Sequence, residues 1–407
     1  MEPTSKSTDH YEQDAFLGAF KGRPCLVTGH TGFKGSWLAL LLHALGARVT
    51  GYALDPPTQP SLFEEARVGE LVDDHRGDVR DAERLVKLIR RLEPQVIFHL
   101  AAQAVVRESY RRPKDTFDVN VGGTVNVLEA ARICPSVRAV VVVTSDKCYE
   151  NREWVHAYRE TDRLGGRDPY SASKAAAELV AVAYRRSLLG PAGIPVATAR
   201  AGNVIGGGDW AADRIVPDAV RALMQGRSIP VRSPGSVRPW QHVLDPLRGY
   251  LTLAAGLLAE VGLDVSLMRH AEAWNFGPSL EGCRTVRELV ESLLSEWGEG
   301  QQWQDQSTSQ TQVPHEAGLL MLSCAKASRC LGWHPRWAFA EAVGQTARWY
   351  RRWLGGDPAR NLCLEQIAEY TATASSSANA LPDGCVPGRR SQEESQVEHE
   401  RDRVATA

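Results

Sequence analysis

A glycine-rich turn between two apolar stretches constrains the fold of this chain more than any other feature. Residues 25–28 predict a short strand, Gly29, Gly32 and Gly35 follow at three-residue intervals, and residues 36–45 predict an apolar helix. Glycine lets the backbone approach a pyrophosphate closely, and a helix N-terminus favours negative charge. The turn therefore predicts a nucleotide-binding strand–turn–helix unit. The alternative is a tight strand–helix turn that binds no ligand.

Apolar runs alternate with helix-like stretches through the first half of the chain. The strand-like runs are residues 25–28, 48–54, 95–100 and 139–144, and the helix-like stretches are residues 36–45, 82–92, 120–131 and 170–186. This alternation is typical of a doubly wound parallel α/β sheet. Ligands bind such sheets at the carboxyl ends of the strands, so we expect functional residues directly after strands.

Three residues that suit alcohol oxidation follow the apolar run at residues 139–144. Tyr170 and Lys174 are four residues apart and share one face of a helix. A phenol has a pKa of about 10, and a nearby ammonium favours the phenolate. With Ser145 bonded to the same substrate oxygen, this set predicts a base that takes an alcohol proton as the hydride leaves. The alternative is a surface Lys beside a half-buried Tyr, and the spacing would indicate no more than this if the glycine turn were absent.

Several residues that follow the other strands are candidates for binding a dinucleotide. An acid at the end of the second strand usually binds ribose, but Ala53 stands there and Asp55 comes two residues later, so this contact stays open. No arginine directly follows, which favours NAD over NADP. Asp78 either binds the adenine amine or caps the helix at residues 82–92. The other candidates are Ala101, Ala102 and Gln103 after the fourth strand, and Asn120, which opens the next helix.

Composition and charge argue against several other classes of protein. The formal net charge of −2 gives no argument for nucleic acid or for a membrane surface. The eight cysteines contain no C-x-x-C pair, so we predict neither a metal site nor a disulfide framework, and a reducing cytoplasm is expected. No apolar run reaches transmembrane length. Residues 1–15 predict a disordered lead and residues 371–407 a flexible tail.

The order and spacing of these motifs resemble the extended short-chain dehydrogenase/reductase family. The resemblance spans about residues 20–370 and includes the glycine turn, Asp78, Ala101, Ala102, Asn120, Ser145, Tyr170 and Lys174. Within this family, longer phrases resemble the CDP-glucose 4,6-dehydratases. They are residues 28–35, 60–64, 144–149, 200–210, 238–243, 274–278 and 331–337.

The resemblance implies NAD-dependent dehydration of CDP-glucose. Tyr170, with its pKa lowered by Lys174, would take the C4 hydroxyl proton as the C4 hydride leaves; water would then be lost across C5 and C6, and the hydride would return to C6. Dehydration needs titratable groups beyond Ser, Tyr and Lys. Asp146 is the candidate acid on the C6 oxygen, and Lys147 is the candidate at C5 or on the enolate. The alternative is that these are two solvated charges after a strand.

The resemblance also implies which residues bind the ligands. The implied cofactor contacts are Gly29, Thr31, Gly32, Phe33, Lys34, Gly35, Asp55, Asp78, Val79, Ala101, Ala102, Gln103, Asn120, Tyr170 and Lys174. The implied substrate contacts are Arg107, Ser145, Asn203, Arg214, Arg238, His242 and His315.

The expected organisation is a Rossmann domain with a smaller C-terminal substrate-binding domain. The NAD-binding domain would comprise residues 16–203 with a return near residues 240–277. The nucleotide-sugar-binding domain would comprise residues 204–239 and 278–370. A homodimer or homotetramer is expected. Two alternatives stay open: a dehydratase or epimerase acting on another sugar nucleotide, and a nucleotide sensor without chemistry.

Overall fold

A seven-stranded parallel sheet forms the centre of the protein. The computed structural model describes residues 18–298, 300, 302–307 and 318–372. The strands are β1 (Pro24–Thr28), β2 (Arg48–Ala53), β3 (Asp73–Arg76), β4 (Val96–His99), β5 (Ala139–Val143), β6 (Val196–Ala201), β7 (Val204–Ile205), β8 (Ile229–Val231), β9 (Val237–Pro239), β10 (Gln241–His242), β11 (Ala273–Phe276), β12 (Cys283–Thr285) and β13 (Trp303–Asp305). The central sheet has the order β3-β2-β1-β4-β5-β6-β11. The direction of winding reverses between β1 and β4, where doubly wound sheets bind ligands.

Successive residues of the central strands enter two hydrophobic cores, one on each face of the sheet. In β1, Val27 packs into one core and Leu26 into the other; in β5, Val141 and Val140 divide in the same way. Both faces are therefore covered. This explains why these strands are continuous apolar runs and do not alternate with polar residues.

Helices cover both faces of the sheet. They are α1 (Phe33–Ala44), α2 (Leu62–Glu65), α3 (Ala82–Leu92), α4 (Val106–Arg111), α5 (Pro113–Phe117), α6 (Gly123–Ile133), α7 (Pro169–Tyr184), α8 (Ile215–Met224), α9 (Leu244–Ala259), α10 (Val286–Trp297), α11 (Ala325–Leu331), α12 (Phe339–Leu354) and α13 (Ala359–Ala372). Helix α1 is buried from Gly35 to Leu42, and its Trp37 Nε1 donates to the Gly207 carbonyl oxygen at 3.0 Å. This bond ties the glycine-turn helix to the second half of the chain.

Three two-stranded pairs connect distant parts of the second half of the chain. β7 pairs with β10 and β8 pairs with β13, both in parallel, whereas β9 and β12 are antiparallel. Helix α10 follows β12 and starts with a capping box in which Thr285 and Glu288 bond each other's backbone N–H groups.

The structure confirms the predicted fold class and refines several boundaries. The polar edge strand β3 lacks an apolar run because its residues are exposed or half-buried. Asn120 does not open a helix, since α5 and a π-helical segment at Asp118–Gly122 precede α6 without a break.

The predicted lead lies outside the described residues, as does the predicted tail apart from residues 371–372, which end α13. The described residues up to Ala372 belong to one compact unit, and the division into two domains stays a prediction. Within the described part of the chain, no helix is both long and apolar enough to cross a membrane.

Candidate active site

The end of β5 presents the first group of candidate residues. Ser145 caps a 3₁₀ turn at Asp146–Cys148, where its Oγ accepts from the Lys147 backbone N–H at 3.2 Å. The same hydroxyl donates to Asp146 Oδ1 at 3.0 Å. The turn therefore places a hydroxyl and a carboxyl side by side at the carboxyl edge of the sheet.

Helix α7 brings the other two candidates to this edge. Asp168 caps the helix by accepting from the Ser171 backbone N–H at 2.9 Å, so the helix begins just before Tyr170. Tyr170 lies close enough to Ser145 for that hydroxyl to act on its pKa, and Lys174 Nζ donates to the Val143 carbonyl oxygen at 3.3 Å. These contacts bring Tyr170 near Ser145 and Lys174 to the end of β5, and the catalytic roles of the three residues stay a prediction.

The prediction that Lys174 brings the pKa of Tyr170 below its ordinary value is wrong, because the surrounding protein groups raise this pKa. Burial raises the pKa of Tyr170 to about 12, and the Ser145 hydroxyl opposes this shift only in part. Burial also lowers the pKa of Lys174 to about 8. The cause in both cases is desolvation, which disfavours the charged form of each group.

Asp146 is an almost fully buried carboxyl group. Its Oδ2 has no hydrogen-bond partner within the described residues and lies against Gly202, where an added Cβ would be 2.7 Å from that oxygen. Burial raises the pKa of Asp146, although the charges of Lys147, Lys34 and Arg238 oppose the shift. A carboxyl with a raised pKa and a free oxygen is suited to donate a proton.

Lys34, in the glycine turn, lies close enough to this carboxyl for the two charges to interact. Burial lowers the pKa of Lys34 to about 8; Arg214 and Lys174 lower it further, and Asp146 raises it. The side chain therefore lies among the catalytic candidates. Its position in the glycine motif predicts only a cofactor contact, because the motif describes the backbone and gives no direction for the side chain.

The glycine turn has the tight geometry that a pyrophosphate site needs. Gly29 has a φ of 77°, and a Cβ there would lie 2.7 Å from the Ala101 backbone nitrogen. A Cβ on Gly35 would lie 2.1 Å from the Gly29 carbonyl oxygen. Helix α1 has no side-chain cap at Gly32, so its first N–H groups are available to an anion. The turn thus fits a dinucleotide.

The other predicted cofactor residues line the same edge, although several also carry structural bonds. The Thr31 hydroxyl donates to the Leu54 carbonyl oxygen at 3.0 Å, and Phe33 lies against Gly206. Asn120 Oδ1 accepts from the Gln103 backbone N–H at 2.9 Å. Asn120 Nδ2 also donates to the Ser173 hydroxyl at 2.8 Å, which ties the loop after β4 to α7.

Three more predicted cofactor residues follow β3 and β4. Ala101 donates its backbone N–H to Thr28 Oγ1 at 3.2 Å, and Ala102 is half-buried in the same loop. The Val79 side chain belongs to the second hydrophobic core and contacts Gly123. Any contact of Val79 with a cofactor would therefore have to come from its backbone.

The nucleoside end of the site differs from the sequence expectation in one respect. Asp55 follows β2 with its side chain 91% exposed, and Arg76 from the neighbouring β3 comes within 3.6 Å of it. An arginine thus stands close to the ribose position although none follows β2 in sequence. Arg76 is already bonded to Asp74 at 2.9 Å and to the Leu54 carbonyl oxygen at 3.2 Å.

Asp78 forms hydrogen bonds with Arg80 and does not cap a helix. Arg80 binds the Asp78 carboxylate through both its side chain and its backbone N–H, and this lowers the pKa of Asp78. The cap of α3 is Asp81, which accepts from the Arg84 backbone N–H at 3.0 Å. The proposed adenine contact of Asp78 stays a prediction.

Two of the candidate substrate residues, Arg107 and Arg214, pair with acidic residues. Arg107 on α4 and Arg232 after β8 both bind Asp213, at 3.3 and 3.1 Å. Arg214 binds the buried Asp209 at 3.0 Å, which raises the pKa of Arg214. These contacts join α4 to the loop before α8. The acidic partners were missed in the sequence, because no local pattern pairs them with their arginines.

Two further substrate candidates lie on or between short strands. Asn203, between β6 and β7, is half-buried. Arg238 on β9 is buried, donates to the Gly318 carbonyl oxygen at 3.3 Å and lies close enough to Asp146 to lower its pKa.

The contact of His242 with the substrate stays a prediction, and the position of this residue does not favour it. His242 is fully buried in β10 and packs edge-on against Trp37 and Trp337, with ring centroids 6.0 and 4.6 Å away. Burial lowers its pKa to about 3. The imidazole is therefore a neutral core group. His315 lies outside the described residues.

Known proteins resemble this chain over most of its length. The family model described as GDP-mannose 4,6 dehydratase matches residues 26–346. The CDP-glucose 4,6-dehydratase of Salmonella typhimurium (strain LT2) is 47% identical over 356 residues, which cover 86% of this chain and 97% of that protein.

Two solved structures show the same fold. DesIV, a dTDP-glucose 4,6-dehydratase from Streptomyces venezuelae with NAD and TYD bound, has a TM-score of 0.66 and 28% identity, covering 82% of this chain and 98% of that one. The UDP-glucose 4-epimerase of Thermus thermophilus in complex with NAD has a TM-score of 0.66 and 26% identity, covering 81% and 99%. The chain therefore belongs to the GDP-mannose 4,6 dehydratase family, within the extended short-chain dehydrogenases/reductases.

Proposed function

We propose that this protein is an NAD-dependent CDP-glucose 4,6-dehydratase, which converts CDP-D-glucose to CDP-4-dehydro-6-deoxy-D-glucose. The observation that carries the proposal is Asp146, a buried carboxyl with a free oxygen beside Ser145 and Tyr170. Oxidation or epimerisation alone needs no such acid. The 47% identity to a CDP-glucose 4,6-dehydratase supports the choice of nucleotide.

The glycine turn, Thr31, Asn120 and the loop after β4 would hold NAD. When bound, NAD accepts the C4 hydride of the sugar and returns it at C6, so it is not consumed. In the first step, Ser145 donates a hydrogen bond to the C4 oxygen and Tyr170 takes the C4 hydroxyl proton. Below its pKa of about 8, Lys174 is an ammonium and would favour the phenolate that this step requires, against the effect of burial on Tyr170.

The elimination step depends on Asp146 and Lys147, which follow Ser145. The ketone at C4 acidifies C5, so the C5 proton can be removed while the C6–oxygen bond breaks. Asp146 donates its proton to the C6 oxygen, which leaves as water, and Lys147 acts at C5 or stabilises the enolate. Hydride addition at C6 and protonation at C5 then give the 4-keto-6-deoxy sugar.

The arginines near the site are suited to the diphosphate of the substrate. A guanidinium binds two phosphate oxygens through parallel N–H groups. Arg214 and Arg238 lie close enough to the catalytic groups to affect their pKa values, and we propose them as the diphosphate contacts. We propose Arg107 and Asn203 as further contacts of the sugar nucleotide.

A turnover test with a panel of nucleotides separates the alternatives. Purified protein is incubated with NAD and with CDP-, dTDP-, GDP- or UDP-glucose, and products are read by mass spectrometry. We expect loss of one water from CDP-glucose only. Loss of water from another member would overturn the nucleotide assignment, and an isomer of unchanged mass would indicate an epimerase. NAD binding without turnover would favour a sensor.

We also propose a homodimer or homotetramer and a cytoplasmic location. The exposed side chains of Leu179 on α7 and Leu188 just after it give this helix an apolar outer surface, which suits a contact between copies. Sedimentation analysis checks the assembly, and a mass that corresponds to a monomer at micromolar concentration would contradict it.

A further inference from the structure

A buried ion pair connects α7 to β6 beneath the catalytic residues. Arg200 Nε donates to Glu178 Oε1 at 2.9 Å, and Arg200 Nη2 donates to Oε2 at 2.8 Å. The two side chains are 3% and 0% exposed. Because desolvating two charges offsets most of their attraction, such a pair is a poor source of stability. Its geometry suggests a positional role.

Both oxygens of the Glu178 carboxylate also bind neighbouring strands. Thr144 Oγ1 donates to Oε1, and Thr198 Oγ1 donates to Oε2 at 2.7 Å. Thr144 directly precedes Ser145. A single carboxylate therefore fixes α7 against the end of β5 and against β6.

The spacing along α7 connects this anchor to the reacting groups. Tyr170, Lys174 and Glu178 follow at four-residue steps, so they lie along one face of the helix. Fixing Glu178 fixes the rotation of the helix about its axis. That rotation sets how Tyr170 and Lys174 face Ser145.

Arg200 extends the network to Tyr149 and to β11. Arg200 Nη1 donates to the Tyr149 hydroxyl at 2.7 Å, which in turn donates to Asn275 Oδ1 at 2.8 Å. Tyr149 ends the turn that carries Asp146 and Lys147. The network thus joins α7, β6 and β11 to the segment that holds the candidate acid.

From these contacts we infer that Glu178 and Arg200 are positioning residues, which hold Tyr170 and Lys174 in register with Ser145 and Asp146. The inference rests on the proposed dehydratase function, because it assigns the network to that reaction. Neither residue is a catalytic group, since neither is placed to touch the substrate.

The Glu178 charge also acts on Lys174. It raises the pKa of Lys174 against the larger effect of burial, which brings that pKa down to about 8. If Glu178 becomes neutral, Arg200 stays as an uncompensated cation, so the pKa of Lys174 falls further. The alkaline limb of activity should then move to lower pH. The titratable groups that act on Lys174 or respond to its charge are Glu178, Cys148, His99 and Lys34, with Tyr170 four residues before it on α7.

The experiment compares Glu178→Gln with the double variant Glu178→Gln/Arg200→Met in the full chain. We expect Glu178→Gln to lower kcat by roughly tenfold to a hundredfold, because small misplacements of reacting groups have effects of this size. KM for CDP-glucose should change far less, and the alkaline limb should move to lower pH. The double variant should restore the limb towards its original pH, since no unpaired charge remains.

Tyr184→Phe serves as the matched control on the same helix. Its hydroxyl donates to Glu129 Oε1 at 2.7 Å, away from Lys174, so kcat and the pH profile should not change. Folded Glu178→Gln protein with the parental kcat and pH profile would overturn the inference. If that variant does not fold, Thr198→Val removes one bond without changing charge. It should lower kcat several-fold with the alkaline limb in place, and an unchanged kcat would overturn the inference equally.

Failure of the inference differs from failure of the proposed function. If the parent does not release water from CDP-glucose, the proposed function fails. If the parent does so and the folded variants match it in kcat and pH profile, only the positioning role fails.

Discussion

At the scale of single residues, burial controls the charge states of the site. It raises the pKa of Asp146 and lowers that of Lys34 and Lys174 to about 8 each. Each shift favours the neutral form of the group. A neutral Asp146 is what proton donation to a leaving hydroxyl requires, so the desolvation that costs stability supports the proposed elimination.

Asp146→Asn should separate oxidation from dehydration. The amide keeps the shape of the side chain and cannot donate an acidic proton, so we expect release of water to fall by roughly 10²–10⁴-fold. Reduced nicotinamide should accumulate, because oxidation at C4 does not need the acid. Absorbance of the reduced cofactor and product mass measure the two steps. Water release at the parental rate would exclude Asp146 as the acid.

Tyr170→Phe should abolish the first step and leave the fold intact. Without the phenol oxygen no group takes the C4 hydroxyl proton, so we expect turnover to fall by roughly 10²–10⁴-fold. Circular dichroism should match the parent, because phenylalanine keeps the buried ring of Tyr170. Turnover within a few-fold of the parent would contradict the mechanism.

At the scale of elements, the glycine turn shows how backbone contacts dictate residue type. A Cβ on Gly35 would lie 2.1 Å from the Gly29 carbonyl oxygen, and the backbone there cannot move without displacing α1. Gly122, by contrast, has a helical φ of −59°, and an added Cβ there would have no neighbour within 4 Å. Position 35 therefore has no space for a side chain, whereas position 122 has space for one.

Gly35→Ala should weaken NAD binding strongly, and Gly122→Ala should not. The first substitution forces apart the turn proposed to hold the pyrophosphate, whereas the second replaces glycine with a better helix former, worth roughly 0.5–1 kcal/mol of added stability. Isothermal titration with NAD and thermal unfolding check both variants. Parental NAD affinity in folded Gly35→Ala would argue against the turn as the pyrophosphate site.

At the scale of the whole molecule, a buried acid connects the C-terminal helix to the body of the protein. Asp245 Oδ1, near the start of α9, accepts from the Tyr370 hydroxyl at 2.6 Å and from the Arg336 backbone N–H at 2.7 Å. Burial raises the pKa of Asp245 to about 6, although these two hydrogen bonds lower it. The carboxyl holds α13 in place at the cost of a buried ionisable group.

The contribution of the Asp245 carboxyl to stability falls as pH rises. An acid with a raised pKa contributes stability that is present below its unfolded pKa of about 4 and is lost as pH rises through about 6. A rise in pKa from about 4 to about 6 corresponds to roughly 3 kcal/mol of stability. Relative to the parent, Asp245→Asn should therefore gain roughly 3–5 °C in Tm between about pH 4 and pH 7.

Asp264→Asn is the control for this measurement. Asp264 is a surface acid whose pKa is lowered by hydrogen bonds from Ser266, so its contribution to stability changes only below about pH 4, and the Tm difference between its variant and the parent should stay constant from pH 4 to pH 7. A Tm difference between Asp245→Asn and the parent that stays constant across this range would show that Asp245 does not titrate there.

The sequence by itself determined the sheet, the glycine turn and the identity of the Ser145, Tyr170 and Lys174 set. Apolar runs, glycine spacing and four-residue helical spacing are local properties, and each is set by the backbone of one element. Long-range burial is not local. Only the tertiary structure placed His242 in the core, brought Arg76 beside Asp55, brought Lys34 near Asp146 and paired Glu178 with Arg200 across two elements. Desolvation and side-chain direction depend on what packs against a residue from elsewhere in the chain, and spacing along the sequence does not contain that information.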